Sequence, residues 1–256
     1  MRLTEKEIKE KYPSAFIGAD ASIKAGAHIE ANAVIEADAS IGADAVIRAD
    51  AVIGVDAVIG AGAHIGVGAV IGVDAVIGAN AVIEAGAYIG ANASIEEGAH
   101  IGVNASIRAN AVIEAGAHIG ANAVIEAGAH IGANASIRAN AIIRSGAYIG
   151  ANAVIRANAV IRLGASIRAN AVIRLGASIG ARRKEVDKSL VILGIGNTKK
   201  LTAYRCSDGL IINIGCQNEY RGYPYEKMKA EISKKYDKDH AYFIALKLIK
   251  NWYKNL

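Results

Sequence analysis

Isoleucine recurs at every sixth position from Ile17 to Ile179, 28 times without a break. Most hexads read alanine, then asparagine, aspartate or glycine, then alanine, a variable residue and isoleucine, and they usually close with glycine, glutamate or arginine. Side chains alternate along a strand, so Ala33 and Ile35 point to one side and Val34 points to the other. The i, i+3, i+4, i+7 spacing of a helix is missing from this pattern. The period therefore predicts one short strand, with its isoleucine inside, in every hexad.

The remaining positions of the hexad predict corners. Asparagine, aspartate and glycine are the residues that tolerate left-handed backbone angles, and one of them stands before the second alanine of each repeat, as Asn32 does. A fixed short period over such a length is typical of a repeat architecture. The chain from residue 17 to 181 is therefore expected to be one solenoid of alternating strands and corners.

The motif Ile-Gly-Ala-Asn-Ala-Val and its variants resemble the hexapeptide-repeat family, whose members are left-handed parallel β-helices. The resemblance covers residues 17–181 and implies that three hexads form one triangular coil, so that residues 18 apart lie above one another. It implies an all-β solenoid of about nine coils, roughly 45 Å long at ~4.8 Å between strands. The open ends of such a stack need covers, because they expose unpaired backbone groups.

The two flanks have the composition of such covers. Residues 1–16 are expected to form an N-terminal helical cap, because Thr4 and Glu7 make a capping-box pattern and Pro13 stops a helix. Residues 182–256 are expected to form a C-terminal α+β capping domain, and they resemble a small domain appended to some bacterial and phage proteins. The predicted elements are strands at Leu190–Ile192, Leu201–Cys206 and Leu210–Ile214, a turn at Ser207–Gly209, and helices opening near Pro224 and Asp237.

The composition indicates the cellular compartment in which the protein is expected. The sequence has no apolar run long enough to span a membrane and opens on charged residues rather than on a signal peptide. Cys206 and Cys216 are not opposite each other in the expected hairpin, which favours two buried free thiols. We therefore expect a cytoplasmic protein without a membrane partner.

The net charge of +5 conceals a strong asymmetry along the chain. Residues 17–84 carry a net charge of −7, whereas residues 138–183 carry +8 and no acid. In the 18-residue spacing the arginines of the basic end form two columns, namely Arg138, Arg156 and Arg174, and Arg144 and Arg162. They would bind a polyanion or an acidic partner, or they would only keep an apolar rod soluble. The solubilising role is preferred, and nucleic acid is not expected, because no aromatic residues for base stacking are interleaved with them.

Four aspartates also share one corner column, namely Asp20, Asp38, Asp56 and Asp74. Carboxylates about 4.8 Å apart repel each other, and a row of calcium ions would relieve that repulsion. The preferred interpretation is that aspartate serves as a corner residue and points into water, since no liganding loop accompanies the column. Whether the column binds cations is left open.

The histidines are the residues with the most chemistry in the repeats. His28, His64, His100 and His118 fall in one outward column, and His130 falls in another. Adjacent His100 and His118 supply two imidazoles, fewer than the three protein ligands that zinc sites usually have. The family resemblance also implies acyltransferases with a catalytic histidine, although in those enzymes loops typically interrupt the coils to shape a cleft. Since the repeats here carry no such loop and a flat strand offers no pocket, the histidines are interpreted as repeat filler.

The sequence thus favours a non-catalytic structural solenoid, acting as a rigid scaffold, spacer or assembly element, with no catalytic, cofactor-binding or metal-binding residue. The alternatives are an acyltransferase-like enzyme with a site between subunits, or a polyanion-binding surface at the arginine-rich end. The unusual regularity indicates either a recently expanded array or a consensus design.

Self-association is expected as well. One outward column is mostly apolar along the whole rod, and strips of this kind tend to mark interfaces; it comprises Val34, Val52, Val70, Tyr88, Val124, Ile142 and Val160. The family resemblance implies a parallel trimer, which is slightly preferred. The charge asymmetry favours an antiparallel dimer instead.

Overall fold

The computed structural model describes residues 3–179 and, beyond them, the stretches 186–195, 199–206, 209–215, 223–224, 226, 229–230 and 246–251. It begins with helix α1, Glu5–Lys11, whose N-cap Thr4 accepts the Glu7 N–H while the Glu7 carboxylate accepts the Thr4 N–H at 2.7 Å. The helix buries Ile8, and just beyond it the buried Tyr12 hydroxyl donates to the Ala27 carbonyl. This short helix therefore lies against the first coil, as the capping pattern predicts.

The strands follow one another at six-residue intervals, and nearly all of them in the repeats contain two residues. They are β1 Phe16–Ile17, β2 Ser22–Ile23, β3 His28–Ile29, β4 Val34–Ile35, β5 Ser40–Ile41, β6 Val46–Ile47, β7 Val52–Ile53, β8 Val58–Ile59, β9 His64–Ile65, β10 Val70–Ile71, β11 Val76–Ile77, β12 Val82–Ile83, β13 Tyr88–Ile89, β14 Ser94–Ile95, β15 His100–Ile101, β16 Ser106–Ile107, β17 Val112–Ile113, β18 His118–Ile119, β19 Val124–Ile125, β20 His130–Ile131, β21 Ser136–Ile137, β22 Ile142–Ile143, β23 Tyr148–Ile149, β24 Val154–Ile155, β25 Val160–Ile161, β26 Ser166–Ile173, β27 Ser178–Ile179, β28 Val186–Ile195, β29 Lys199–Cys206, β30 Gly209–Gly215 and β31 Tyr223–Pro224.

Strands 18 residues apart pair in parallel, as β15 and β18 do with His100 opposite His118. The solenoid therefore has three faces and about nine coils, which confirms the predicted fold. Face 1 contains β1, β4, β7, β10, β13, β16, β19, β22, β25 and β27. Face 2 begins with β2 and includes β17, β20 and β23, and face 3 begins with β3 and includes β12, β15 and β18. The chain runs from face 1 to face 2 to face 3 in every coil, so each coil turns three corners.

The core is a stack of isoleucines and alanines. From Ile23 to Ile179 every isoleucine of the period is at most 6 % exposed, and the alanine two residues before it is buried too. Burying one isoleucine contributes about 1.5–3 kcal/mol relative to leaving it exposed, so the unbroken period explains why the coils stack. The corners adopt the left-handed conformation expected of them, with φ near +58° at Asn32.

The chain leaves the solenoid through hydrogen-bonded strands. The long strand β26 turns a corner and pairs with β28, placing Ile167 opposite Val186. The strands β28, β29 and β30 then form an antiparallel sheet, which confirms the three strands predicted there. Cys206 pairs with Gly209 at the turn of the hairpin between β29 and β30.

The structure describes parts of both helices expected in the C-terminal segment. Pro224 ends strand β31, where its neighbour Tyr223 pairs with Ile212, and residues 226 and 229–230 just beyond it are helical, in agreement with a helix opening near Pro224. Residues 246–251 are helical, while Cys216 and Asp237 lie outside the described residues. Among the described residues, we find no helix with the length and apolar character that a membrane span requires.

Candidate active site

Glutamates at the corners tie neighbouring coils together. Six of them directly follow an isoleucine, and in each the Oε2 atom accepts the backbone N–H of the residue nineteen positions ahead; they are Glu30, Glu36, Glu84, Glu96, Glu114 and Glu126. Glu84, which follows β12, accepts the Val103 N–H at 2.9 Å. This contact fixes the carboxylate against the next coil and leaves its Oε1 atom for another donor.

In Glu84 that second oxygen contacts a histidine. The Nε2 atom of His100, on β15 of the next coil, lies 2.6 Å from Glu84 Oε1, and each side chain is 35 % exposed. A carboxylate only accepts hydrogen bonds, so Nε2 carries the shared hydrogen, and in the neutral imidazole Nδ1 then keeps a lone pair. The arrangement orients one imidazole and provides a proton acceptor on an open face.

A second histidine lies directly beyond the first. The rings of His100 and His118, on β15 and β18, are 4.7 Å apart between centroids and meet edge to face. Burial lowers the pKa of His118 from its ordinary value, and the neighbouring His100 and Arg138 lower it further. His118 therefore stays neutral at neutral pH and adds no charge beside His100.

Face 2 carries a similar arrangement. Glu114 contacts Nε2 of His130, and its other oxygen accepts the Ala133 N–H at 2.8 Å. The hydrogen bond from His130 is the main cause that lowers the pKa of Glu114. The ring of Tyr148, one coil further, lies 5.1 Å from that of His130 at an interplanar angle of 40°.

The other two histidines of the repeats, His28 and His64, lack this geometry. His28 Nε2 lies 3.8 Å from Glu30 of its own coil, and its side chain is 63 % exposed. For His64 the residue sixteen positions earlier is Arg48, whereas His100 and His130 each have a glutamate there. A glutamate sixteen residues before a histidine is thus the sequence signal that the analysis of isolated columns missed. The interpretation of all histidines as filler does not describe His100 and His130.

The surface beside His100 is apolar. Val82, directly opposite His100 in the ladder, is 39 % exposed, as is Val103, whose N–H binds Glu84. Tyr88, which follows Glu84 on face 1, is 46 % exposed. An apolar group would therefore find uncovered side chains next to the imidazole.

The arginines lie at the corners as the spacing predicts. Arg144 donates to Glu126 at 2.8 Å, and Arg162 donates to the Ser178 hydroxyl at 3.3 Å. Arg138, Arg156 and Arg174 follow isoleucines at the corner between face 3 and face 1. The aspartate column, Asp20, Asp38, Asp56 and Asp74, occupies left-handed corners with φ of 55–58°.

Two family models match parts of the repeat region, and both describe hexapeptide repeats. Residues 92–131 and 128–163 match the model of the bacterial transferase hexapeptide, and residues 14–43 and 146–181 match the hexapeptide repeat of succinyl-transferase. A search of curated protein sequences finds no match.

Several solved structures are similar at low identity. UDP-N-acetylglucosamine acyltransferase from Francisella novicida is 22% identical with a TM-score of 0.41, and the match covers 68% of this chain and 65% of that enzyme. The acyltransferase from Campylobacter jejuni is 17% identical with a TM-score of 0.42, covering 94% and 78%. The enzyme from Moraxella catarrhalis is 16% identical with a TM-score of 0.38, covering 94% and 91%.

Two expectations from the sequence are corrected by these findings. Both matching family models describe repeats of transferases, so the non-catalytic scaffold and the assignment as a non-enzyme are wrong, and the interpretation as a designed structural rod conflicts with them as well. The acyltransferase-like alternative fits better. The prediction of a non-catalytic rod rested on the lack of loops and of a pocket, and it did not include the contact between Glu84 and His100 that successive coils create.

Proposed function

This chain belongs to the hexapeptide-repeat family of left-handed β-helices, and we propose that it is an acyltransferase-like enzyme with a site between subunits. The observation that carries the proposal is the contact between Glu84 and His100. A positioned imidazole whose tautomer is fixed by a carboxylate is what general-base catalysis of acyl transfer requires.

The chemistry follows from these positions. His100 Nδ1 takes the proton from an amine or hydroxyl acceptor as that group attacks the carbonyl carbon of an acyl thioester. The new C–N or C–O bond forms, the C–S bond breaks, and the imidazolium returns the proton to the leaving thiolate. Glu84 stabilises the imidazolium between these two steps, and neutral His118 does not repel it.

The exposed surface explains why a neighbouring copy is part of the proposal. A single flat face leaves substrate open to water, and a pocket needs a second wall. Glu84 lies at the corner between face 3 and face 1, so a copy packed on face 1 would border the site. A parallel trimer and an antiparallel dimer are the two assemblies that would supply it.

The test compares two histidines of the same column. The wild-type protein is incubated with acetyl- or succinyl-coenzyme A and a panel of amino sugars and sugar nucleotides, and acylated products are detected by mass spectrometry. We expect His100→Gln to lower kcat at least 100-fold, since a general base contributes about 10²–10⁴-fold. His64→Gln, on the same face without a glutamate partner, should keep full activity. Equal activity of both variants would overturn the assignment.

The second candidate, a polyanion surface at the arginine-rich end, has a different signature. Arg138 and Arg156 lie at one corner of that end, Arg144 and Arg162 at another. Binding of heparin to such a surface would weaken steeply as salt is raised. Heparin binding that persists in the His100→Gln variant would identify it as a function separate from catalysis.

A further inference from the structure

Face 1 presents a long, mostly apolar strip with charged residues along both edges. We propose that a second copy of this chain packs antiparallel across face 1, with the middle of the contact between Tyr88 and Ser106. This packing rests on the proposed function in one respect, because the second copy would border the site at Glu84. It otherwise stands on apolar exposure and charge.

The outward residues of face 1 are apolar along most of its length. Face 1 is a ladder of ten parallel strands from β1 to β27. Its outward residues are Phe16, Val34, Val52, Val70, Tyr88, Ser106, Val124, Ile142, Val160 and Ser178. Phe16 is 64 % exposed and Tyr88 46 % exposed, while the valines between them are half-buried. Eight of these ten side chains are apolar or aromatic, so the strip favours burial against another protein surface.

Both edges of the strip are acidic near its N-terminal end and basic near its C-terminal end. Near the N-terminal end, Val34 has Glu30 on one side and Glu36 on the other, because both glutamates follow isoleucines at the flanking corners. Near the C-terminal end, Val160 lies in the same way between Arg156 and Arg162.

The acidic edges keep a net negative charge, although one of their members is already paired. Arg48 donates to Glu30 at 2.6 Å. Beside them Asp38 and Asp50 occupy exposed corners, so the N-terminal half remains acidic on both sides of the strip. At the other end Arg144 pairs with Glu126, and Arg138 and Arg156 have no acidic residue on the coils between them.

The relative direction of the two copies decides whether the charges at their edges attract or repel each other. A two-fold axis through the middle of the strip places Val34 opposite Val160 of the second copy. The corner at Glu30 then faces the corner at Arg156, and Glu36 faces Arg162. A parallel arrangement would instead place arginine beside arginine at the C-terminal end. Opposite charges attract at both edges of the antiparallel arrangement and like charges repel in the parallel one, so several such contacts select the orientation.

The size of the strip suits a stable pair. At ~4.8 Å per coil its length is roughly 45 Å, and six residues per face at ~3.3 Å give a width of up to about 20 Å. The area of roughly 900 Å² per copy is close to the about 800 Å² that each partner buries in a specific complex. Tyr88 lies near the middle, where aromatic residues contribute most to binding.

A charge swap tests the orientation. Arg156→Glu combined with Arg162→Glu should weaken the dimer at least tenfold at low salt, as measured by analytical ultracentrifugation. Adding Glu30→Arg and Glu36→Arg to the same chain should restore it, because every proposed contact is again between opposite charges. Arg168→Glu, at the corner between faces 2 and 3, should have no effect, and circular dichroism checks that all variants fold.

A distance measurement distinguishes an antiparallel pair from a parallel assembly. In a background with Cys206→Ser and Cys216→Ser, spin labels are attached at Phe16→Cys or Ser106→Cys. An antiparallel pair predicts a separation of about 40 Å or more between the two labels at position 16 and a much shorter one at position 106. Short distances at both positions would show a parallel assembly, and a monomer at all concentrations would show no assembly; either result overturns the proposal. Activity assays are separate, so a parallel assembly would leave the proposed chemistry standing.

Discussion

Glu84 and His100 lie on successive coils, and the carboxylate Oε1 is 2.6 Å from the imidazole Nε2. They are sixteen residues apart in sequence, and neither residue is unusual at its own position in the repeat. The contact exists because one coil of 18 residues places the corner of one turn beside the outward strand position of the next.

The first prediction concerns the carboxylate. Glu84→Gln keeps the size of the side chain but removes the charge that stabilises an imidazolium on His100. We expect kcat to fall by roughly 10–100-fold with little change in KM, since the loss affects the transition state more than substrate binding. Glu96→Gln, at another corner without a histidine contact, should leave both constants unchanged. A change in KM alone would indicate that Glu84 only binds substrate.

The second prediction concerns His118. Burial, His100 and Arg138 all lower its pKa, so its NMR titration should fall below the ordinary range of histidine. In His100→Gln one of these causes is removed, and the pKa of His118 should rise towards its ordinary value. Since protonation is less favourable in the folded state, His118 should also make the protein less stable as pH falls below about 6.5. A titration that is unaffected by His100→Gln would contradict the coupling.

The third prediction uses two glutamates of one corner column. Glu96 and Glu114 both accept a backbone N–H from the next coil, but only Glu114 also contacts a histidine, His130. Its lowered pKa means that its contribution is present above the unfolded value near 4.5 and is lost as pH falls through the folded value. Glu114→Gln should therefore reduce stability at pH 7 more than Glu96→Gln does. The difference should stay below about 1 kcal/mol because the pair is partly exposed, and in thermal unfolding it should shrink as the pH falls below 4.5.

The fourth prediction separates two kinds of glycine. A Cβ added at Gly60 would lie 2.5 Å from the backbone nitrogen of Ala79 on the next coil, a contact that only a backbone shift would relieve. Gly128 has a φ of +65° and nothing within 4 Å of an added Cβ, and asparagine holds the equivalent corner in many other repeats. Gly60→Ala should thus destabilise the protein by about 1–3 kcal/mol, whereas Gly128→Asn should leave its melting temperature unchanged.

The repeats share the fold of the hexapeptide-repeat family, but no loop interrupts their coils. The coils from Ile17 to Ile179 continue without an insertion, and the exposed side chains near His100 come from the strands and corners themselves. Any enclosure of substrate must therefore come from a neighbouring copy or from the C-terminal segment. This is why the proposed activity and the proposed packing on face 1 are tested by separate measurements.

The sequence by itself determined the strands, the corners and the core. An isoleucine every six residues specifies which side chains are buried, and asparagine, aspartate or glycine specifies where the chain turns, because both signals are local. The capping box at Thr4 and Glu7 is equally local, and the structure has it.

Only the tertiary structure decided which outward residues meet. The pairing of Glu84 with His100, and of Glu114 with His130, depends on how far a corner side chain reaches along the stack, which a column of equivalent positions does not reveal. Contacts between residues far apart in sequence are set by coil geometry, and that geometry converts two ordinary repeat residues into a candidate catalytic pair.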